Sequence, residues 1–120
     1  MSVEARLQDL GLTLPKAAAP AANYVPFVVE GGFVHISGQL PMGPDGLAYQ
    51  GKVGVEVSEE DAVKAAELCG LNIIAQIKEA CGGDLSRVKR IVRLGGFVNC
   101  MDGFGNQPAI INGASNLMVA

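Results

Sequence analysis

Apolar positions near the start of the chain fall at Val3, Leu7 and Leu10, one stripe of a short helix that Ser2 can cap and Gly11 can end. The next stretch, Leu14-Pro15-Lys16-Ala17-Ala18-Ala19-Pro20, has no helical period and reads as an Ala/Pro connector. Residues 1–21 are thus expected to form an arm that packs on the domain without being its core. From Tyr24 the pattern shifts to strands. Tyr24 to Glu30 and Phe33 to Gln39 are β-rich runs separated by Gly31-Gly32, which predicts a hairpin because the tight primed turns need positive φ. In the second run Val34 and Ile36 alternate with Phe33, His35 and Ser37. Pro44-Asp45-Gly46 predicts a turn, and the alternation of Val53, Val55 and Val57 predicts a third strand.

Ser58-Glu59-Glu60-Asp61 then opens the clearest helix, with a capping-box-like start and negative charge in the first turn. Val63, Ala66, Gly70, Ile74, Ile77 and Cys81 recur at helical spacing, and Gly82-Gly83 closes the element. Gly70 costs the helix about 1 kcal/mol relative to Ala, so a close approach against a sheet is expected there. Val88 to Phe97 alternates in places and reads as a strand bulged at Gly95-Gly96. Pro108 suits the first turn of a second helix that buries Ile110, Ile111, Ala114, Leu117 and Met118. Helices gathered on one face of a mostly antiparallel sheet make an α+β layer fold. The apolar, uncapped ending Asn116-Leu117-Met118-Val119-Ala120 predicts a domain that is incomplete at its C-terminus.

Composition narrows the class. With 120 residues, 49% hydrophobic and 18% charged, the chain has the makings of one folded domain and not of a disordered one. Charges, Pro and Gly break every apolar stretch well before the roughly 18 residues a membrane helix needs. Aromatics are 5% with no Trp, so the core is expected to be aliphatic. A net charge of −3 and a pI near 5.0 argue against a dedicated nucleic-acid binder. The basic cluster Arg87, Lys89, Arg90 and Arg93 reads as a solvated strand edge, where charge deters aggregation. Cys69, Cys81 and Cys100 have neither CxxC nor Cys/His spacing; they read as reduced thiols without a metal, which points to the cytoplasm. Glu4, Arg6 and Asp9 at the start argue against a signal peptide.

Several segments together resemble the RidA family, also written YjgF/YER057c/UK114. They are Asn23-Tyr24-Val25, then Phe33-Val34-His35-Ile36-Ser37-Gly38-Gln39-Leu40-Pro41, the long helix, Gly82-Gly83-Asp84-Leu85-Ser86-Arg87-Val88, and Val98-Asn99-Cys100-Met101-Asp102-Gly103-Phe104. The resemblance runs over 22–120; the arm and Asn106-Gln107-Pro108 look like features of a divergent subgroup. It implies a chorismate-mutase-like (ferredoxin-like) antiparallel-rich sheet with two helices on one face, assembled as a homotrimer with clefts between subunits. It also implies hydrolysis of reactive enamines and imines, such as 2-aminoacrylate and 2-iminopropanoate, to 2-keto acids and ammonia without metal or organic cofactor. Such a reaction asks little of the protein: the iminium carbon is already electrophilic, so water must be oriented, a proton handled and the carboxylate anchored.

The resemblance also proposes site residues. Tyr24 matches a family tyrosine whose phenol can donate to a carboxylate or a water, and the alternative is a ring packed on the sheet edge. Gly38 matches a glycine whose backbone comes close to the ligand, with Ser37 and Gln39 beside it; strands also use glycine for local reasons. Asn112 aligns with an amide on the second helix that borders the family pocket, though a solvent-facing Asn reads equally well. Cys100 can line that pocket or be a small buried thiol. His35, the sole histidine, reads as half-buried packing in preference to a general base. The family's carboxylate-binding Arg and catalytic Glu follow the second helix, and none of Arg6, Arg87, Arg90 or Arg93 occupies the matching position. A non-catalytic trimer that binds keto acids or similar anions is therefore the second expectation, and ribonuclease activity a third.

Overall fold

Ser58 starts the longest element. Its Oγ accepts the Asp61 N–H at 3.1 Å, and Glu59, Glu60 and Asp61 place negative charge at the positive end of helix α2 (Glu59–Ala80). Gly82 and Gly83, at φ +67° and +93°, turn the chain out of it. The structure, a computed structural model, describes residues 2–17, 19 and 23–120. Part of the Ala/Pro connector and the expected boundary at residues 21 and 22 lie outside the described residues.

Helix α3 (Gln107–Val119) packs along α2 and buries Ile110, Gly113, Ala114 and Leu117. Two glycines set how closely the helices approach. A Cβ added at Gly70 would stand 3.0 Å from Leu117 Cδ2 and 3.5 Å from Ala114 Cα, and one at Gly113 would collide with the Val63 carbonyl oxygen. The close approach expected at Gly70 is real, but its neighbour is a helix and not a sheet.

The N-terminal helix α1 (Val3–Asp9) forms under its Ser2 cap, whose Oγ accepts the Ala5 N–H at 3.1 Å. Contrary to the expectation, the arm contributes to the core: Leu7 is buried with Leu71, Ile74, Ile77, Leu85 and Leu117. An ion pair Glu4–Lys78 at 3.7 Å ties α1 to α2, and Arg6 Nε donates to the Ala120 carbonyl at 3.0 Å at the end of α3.

The predicted hairpin is present as β1 (Phe27–Glu30) and β2 (Phe33–Ile36), antiparallel, with Phe27 opposite Ile36 and Glu30 opposite Phe33. Gly31 and Gly32 both take positive φ, +58° and +82°, as a primed turn demands. The ribbon rests on α2, with Ile36 packed against the Leu7–Leu117 cluster. No third strand covers it among the described residues, so His35 is exposed and not half-buried; its ring lies tilted 6.4 Å from that of Phe33. A second small ribbon joins β3 (Met42–Gly43) to β4 (Gly46–Leu47) across the predicted Pro44-Asp45 turn.

Two expected strands take another form. At Val53–Val57 the Lys52 carbonyl accepts the N–H groups of Val55, Glu56 and Val57, making a tight coil that positive φ at Gly51 and Gly54 permits. Val53 anchors the coil, bridging to Cys100 and buried with Ala62, Ala66 and Ile110, and Val57 packs partly buried against the same cluster. Val88–Phe97 runs without ladder partners, its Val92 and Phe97 exposed, because no neighbouring strand lies alongside it among the described residues. Small antiparallel sheets and three helices make an α+β fold. Among the described residues no helix is long and apolar enough to cross a membrane.

Candidate functional site

The open end of the β1–β2 hairpin gathers four of the six proposed site residues. Ser37 continues the hairpin register by one step: both its backbone N–H and its Oγ donate to the Pro26 carbonyl, each at 3.0 Å. Tyr24, two residues ahead of Pro26, therefore lies at the same end as Gly38 and Gln39. The Tyr24 side chain is exposed, and its phenol has no hydrogen-bond partner among the described residues. Gln39 Nε2 donates to the Ser37 carbonyl at 3.3 Å, which folds that side chain back over the turn.

Gly38 is the informative position. Its φ lies outside the left-handed region, and a Cβ built on it would meet no atom of the described residues within 4 Å. Among the described residues neither a turn nor packing requires glycine there. The backbone N–H groups of Gly38 and Gln39 also have no hydrogen-bond partner among the described residues, which leaves two donors at the same end of the hairpin as the Tyr24 phenol.

Beyond Gln39 the chain is clasped to α2 by Asn72, a residue that the sequence reading passed over. Asn72 is 3% exposed, and its Nδ2 donates to the carbonyls of Leu40 at 3.2 Å, Met42 at 3.1 Å and Leu68 at 3.1 Å. A signal was available: an amide inside the apolar run Leu71-Asn72-Ile73-Ile74 has to find partners if it is buried.

Cys100 and Asn112 lie on other elements of the chain, away from the hairpin. Cys100 packs half-buried with Val53 and Ile110, and Gln107 Nε2 approaches its Sγ at 3.7 Å. Asn112 is exposed on α3, on the side opposite the Ile110, Ala114 and Leu117 stripe that faces α2. Of the other thiols, Cys69 is pushed up to about 11 by burial, which keeps it protonated and unreactive. Asp84 is held below its ordinary value by hydrogen bonds from Ser86, a capping role at the 3₁₀ turn Leu85–Arg87. Among the described residues no cluster of three His, Cys, Asp or Glu side chains is placed to hold a metal ion. A groove of about 480 Å³ lies elsewhere, between α1, the ends of α2 and α3, and residues 85–91. Its walls are Leu, Ile and Val with Arg6 and Arg90, and none of the proposed site residues lines it.

Comparison with known proteins agrees with this architecture. Residues 4–120 match the family described as "YjgF/chorismate_mutase-like, putative endoribonuclease", a span that takes in α1. Protein TCP17 of Trypanosoma cruzi is 44% identical over 118 residues, covering 98% of this chain and 73% of that protein. A crystal structure of a protein of unknown function from Agrobacterium tumefaciens superposes with a TM-score of 0.87 at 49% identity, covering 95% of this chain and 69% of the other. A crystal structure titled as a "putative endoribonuclease" from Shewanella oneidensis gives 0.93 at 40% identity, over 98% and 77% of the two chains. With its α+β layout, its hairpin and its paired helices accounted for in this way, the chain belongs to the YjgF/chorismate mutase-like family.

Proposed function

We propose that this chain is a hydrolytic deaminase of small reactive enamines and imines of the 2-aminoacrylate and 2-iminopropanoate type, acting at the Tyr24–Gly38 end of the hairpin in a cleft completed by a second copy within a trimer. The observation that carries the reading is Gly38: a bare backbone position with open space before it and, among the described residues, no contact or turn that calls for glycine. The hairpin adds an apolar surface, with Val25, Val28, Val29 and Phe33 all exposed, of the kind that marks an interaction site.

The chemistry follows from the donors. The N–H groups of Gly38 and Gln39 hold the carboxylate end of the imino acid, and the Tyr24 phenol orients the attacking water. Water adds to C2, forming a C–O bond while the C=N π electrons move to nitrogen. An enamine substrate first takes a proton from solvent at C3 to become this iminium. After water has added, one proton passes from oxygen to nitrogen, the C–N bond breaks, and the departing ammonia takes the remaining hydroxyl proton as the carbonyl of the 2-keto acid forms. Asn112 and Cys100, from α3 and its approach, are assigned to the partner-facing rim of the cleft, where an amide and a thiol hydrogen-bond the substrate without adding charge.

The test is 2-aminoacrylate generated in situ by a serine dehydratase, with ammonia and pyruvate measured together. Release above the buffer rate, reduced in Tyr24→Phe and lost in Gly38→Val while circular dichroism stays unchanged, is the expected result. Release equal to buffer alone overturns the deaminase reading. Saturable pyruvate binding without turnover would support the anion-binding module in its place. The relatives' descriptions make RNA cleavage worth assaying in parallel, and cleavage indifferent to Gly38→Val would belong to a contaminant. A clean monomer in sedimentation removes the shared cleft.

A further inference from the structure

We infer that Asn72 is a positioning residue for the hairpin-end site: from the buried face of α2 it sets where the Gly38 and Gln39 backbone donors stand. The inference rests on the deaminase reading for its kinetic consequence and on the observed hydrogen bonds for its geometry.

The segment Ser37–Leu40 is held at two points and free between them. At one end, Ser37 is fixed to the Pro26 carbonyl by two donors. At the other, Asn72 Nδ2 reaches the carbonyls of Leu40 and Met42, which converge because Met42 N–H closes a turn on Leu40 O at 2.8 Å. The Pro41 carbonyl between them accepts from Ala48 N–H at 3.0 Å, carrying the clasp on to the small ribbon. A primary amide suits this place. Its nitrogen offers two hydrogens to three carbonyl oxygens, one of them the Leu68 carbonyl of its own helix, and it carries no charge to desolvate. Asp in the same position would turn an acceptor toward those carbonyls. Removing Asn72 leaves the Ser37 anchor intact and releases the other end, so the Gly38 and Gln39 N–H groups, unpaired among the described residues, lose their fixed placement.

Those donors hold the substrate carboxylate in the ground state and the transition state alike, so loosening them raises KM and leaves kcat nearly unchanged. Loss of stability alone does the reverse: fewer active molecules lower the apparent kcat at unchanged KM. The experiment compares wild type, Asn72→Ala and Asn72→Asp by steady-state deamination and by amide NMR of Gly38 and Gln39. Both variants are expected to raise KM about tenfold with kcat within about twofold, and to move the Gly38 and Gln39 amide signals while those of Val28 and Val29 stay in place. In Asn72→Asp the rise should shrink as pH is lowered, because a buried acid facing carbonyls titrates high and its protonated form regains a donor. Unchanged Gly38 and Gln39 amides, or a fall in kcat with KM untouched, overturns the inference. Shifted amides in a chain whose wild type deaminates nothing would confirm the clasp and refute the deaminase reading, so the two failures remain distinct.

Discussion

The helical half and the strand half of this molecule are held together by different means. Helices α2 and α3 meet closely at two glycines: Gly113 leaves no room for a side chain against the Val63 carbonyl, and Gly70 packs tightly under Leu117 and Ala114. The β1–β2 hairpin touches the rest mainly through Ile36, while Val28, Val29, Phe33 and His35 are exposed, and among the described residues the run after Val88 has no strand beside it. The helical half buries most of its apolar stripe between its own helices. The strand half leaves its surfaces open, and the proposed chemistry lies on that half.

The sharpest way to break this contrast is Gly113→Val. Its branched side chain has to displace the Val63 backbone, and about 3 kcal/mol of stability is expected to be lost in urea unfolding. Loss under about 1 kcal/mol would mean that the helices slide apart easily and are not the rigid half. Ser58→Ala removes the Asp61 N–H acceptor and should cost about 1 kcal/mol in the same measurement. Gly38→Ala is the opposite case: with space open and no left-handed backbone, it is expected to raise stability by about 0.5 kcal/mol while deamination falls. A variant both more stable and fully active would remove Gly38 from the site.

The smallest expected effect lies at Cys69. Burial raises its thiol to about 11 from 9.0, so the folded chain keeps a proton that the unfolded chain releases near pH 9. The resulting stability is complete below pH 9 and disappears as pH climbs from 9 toward 11. Cys69→Ala should flatten that part of a stability–pH curve, and at pH 8 Cys69 should react with an aromatic disulfide reagent more slowly than an ordinary exposed thiol. Equal rates would show that the helix face around Cys69 opens readily.

What could be read in the sequence divides along the same line. Caps and stripes are local: Ser2, Ser58, Gly82 and the spacing from Ala66 to Ile77 each announce themselves within a few residues, and all are found where expected. The Gly31-Gly32 hairpin is local for the same reason. Strand identity depends on a neighbour, which is why Val53–Val57 and Val88–Phe97 alternate without forming ladders, and why His35 is exposed on a ribbon that nothing covers among the described residues. At the site, register was enough to bring Tyr24, Ser37, Gly38 and Gln39 to one end of the hairpin. Asn72 escaped because its partners lie 30 and 32 residues away in the chain, and no helical or strand period predicts such a bond.

The bare position at Gly38 has a consequence in the denatured ensemble. Glycine there enlarges the number of conformations the chain must give up on folding, and no contact among the described residues returns that entropy. A selection for heat resistance alone would replace it early, and, on the proposed function, the survivors would be sturdier proteins with their site obstructed.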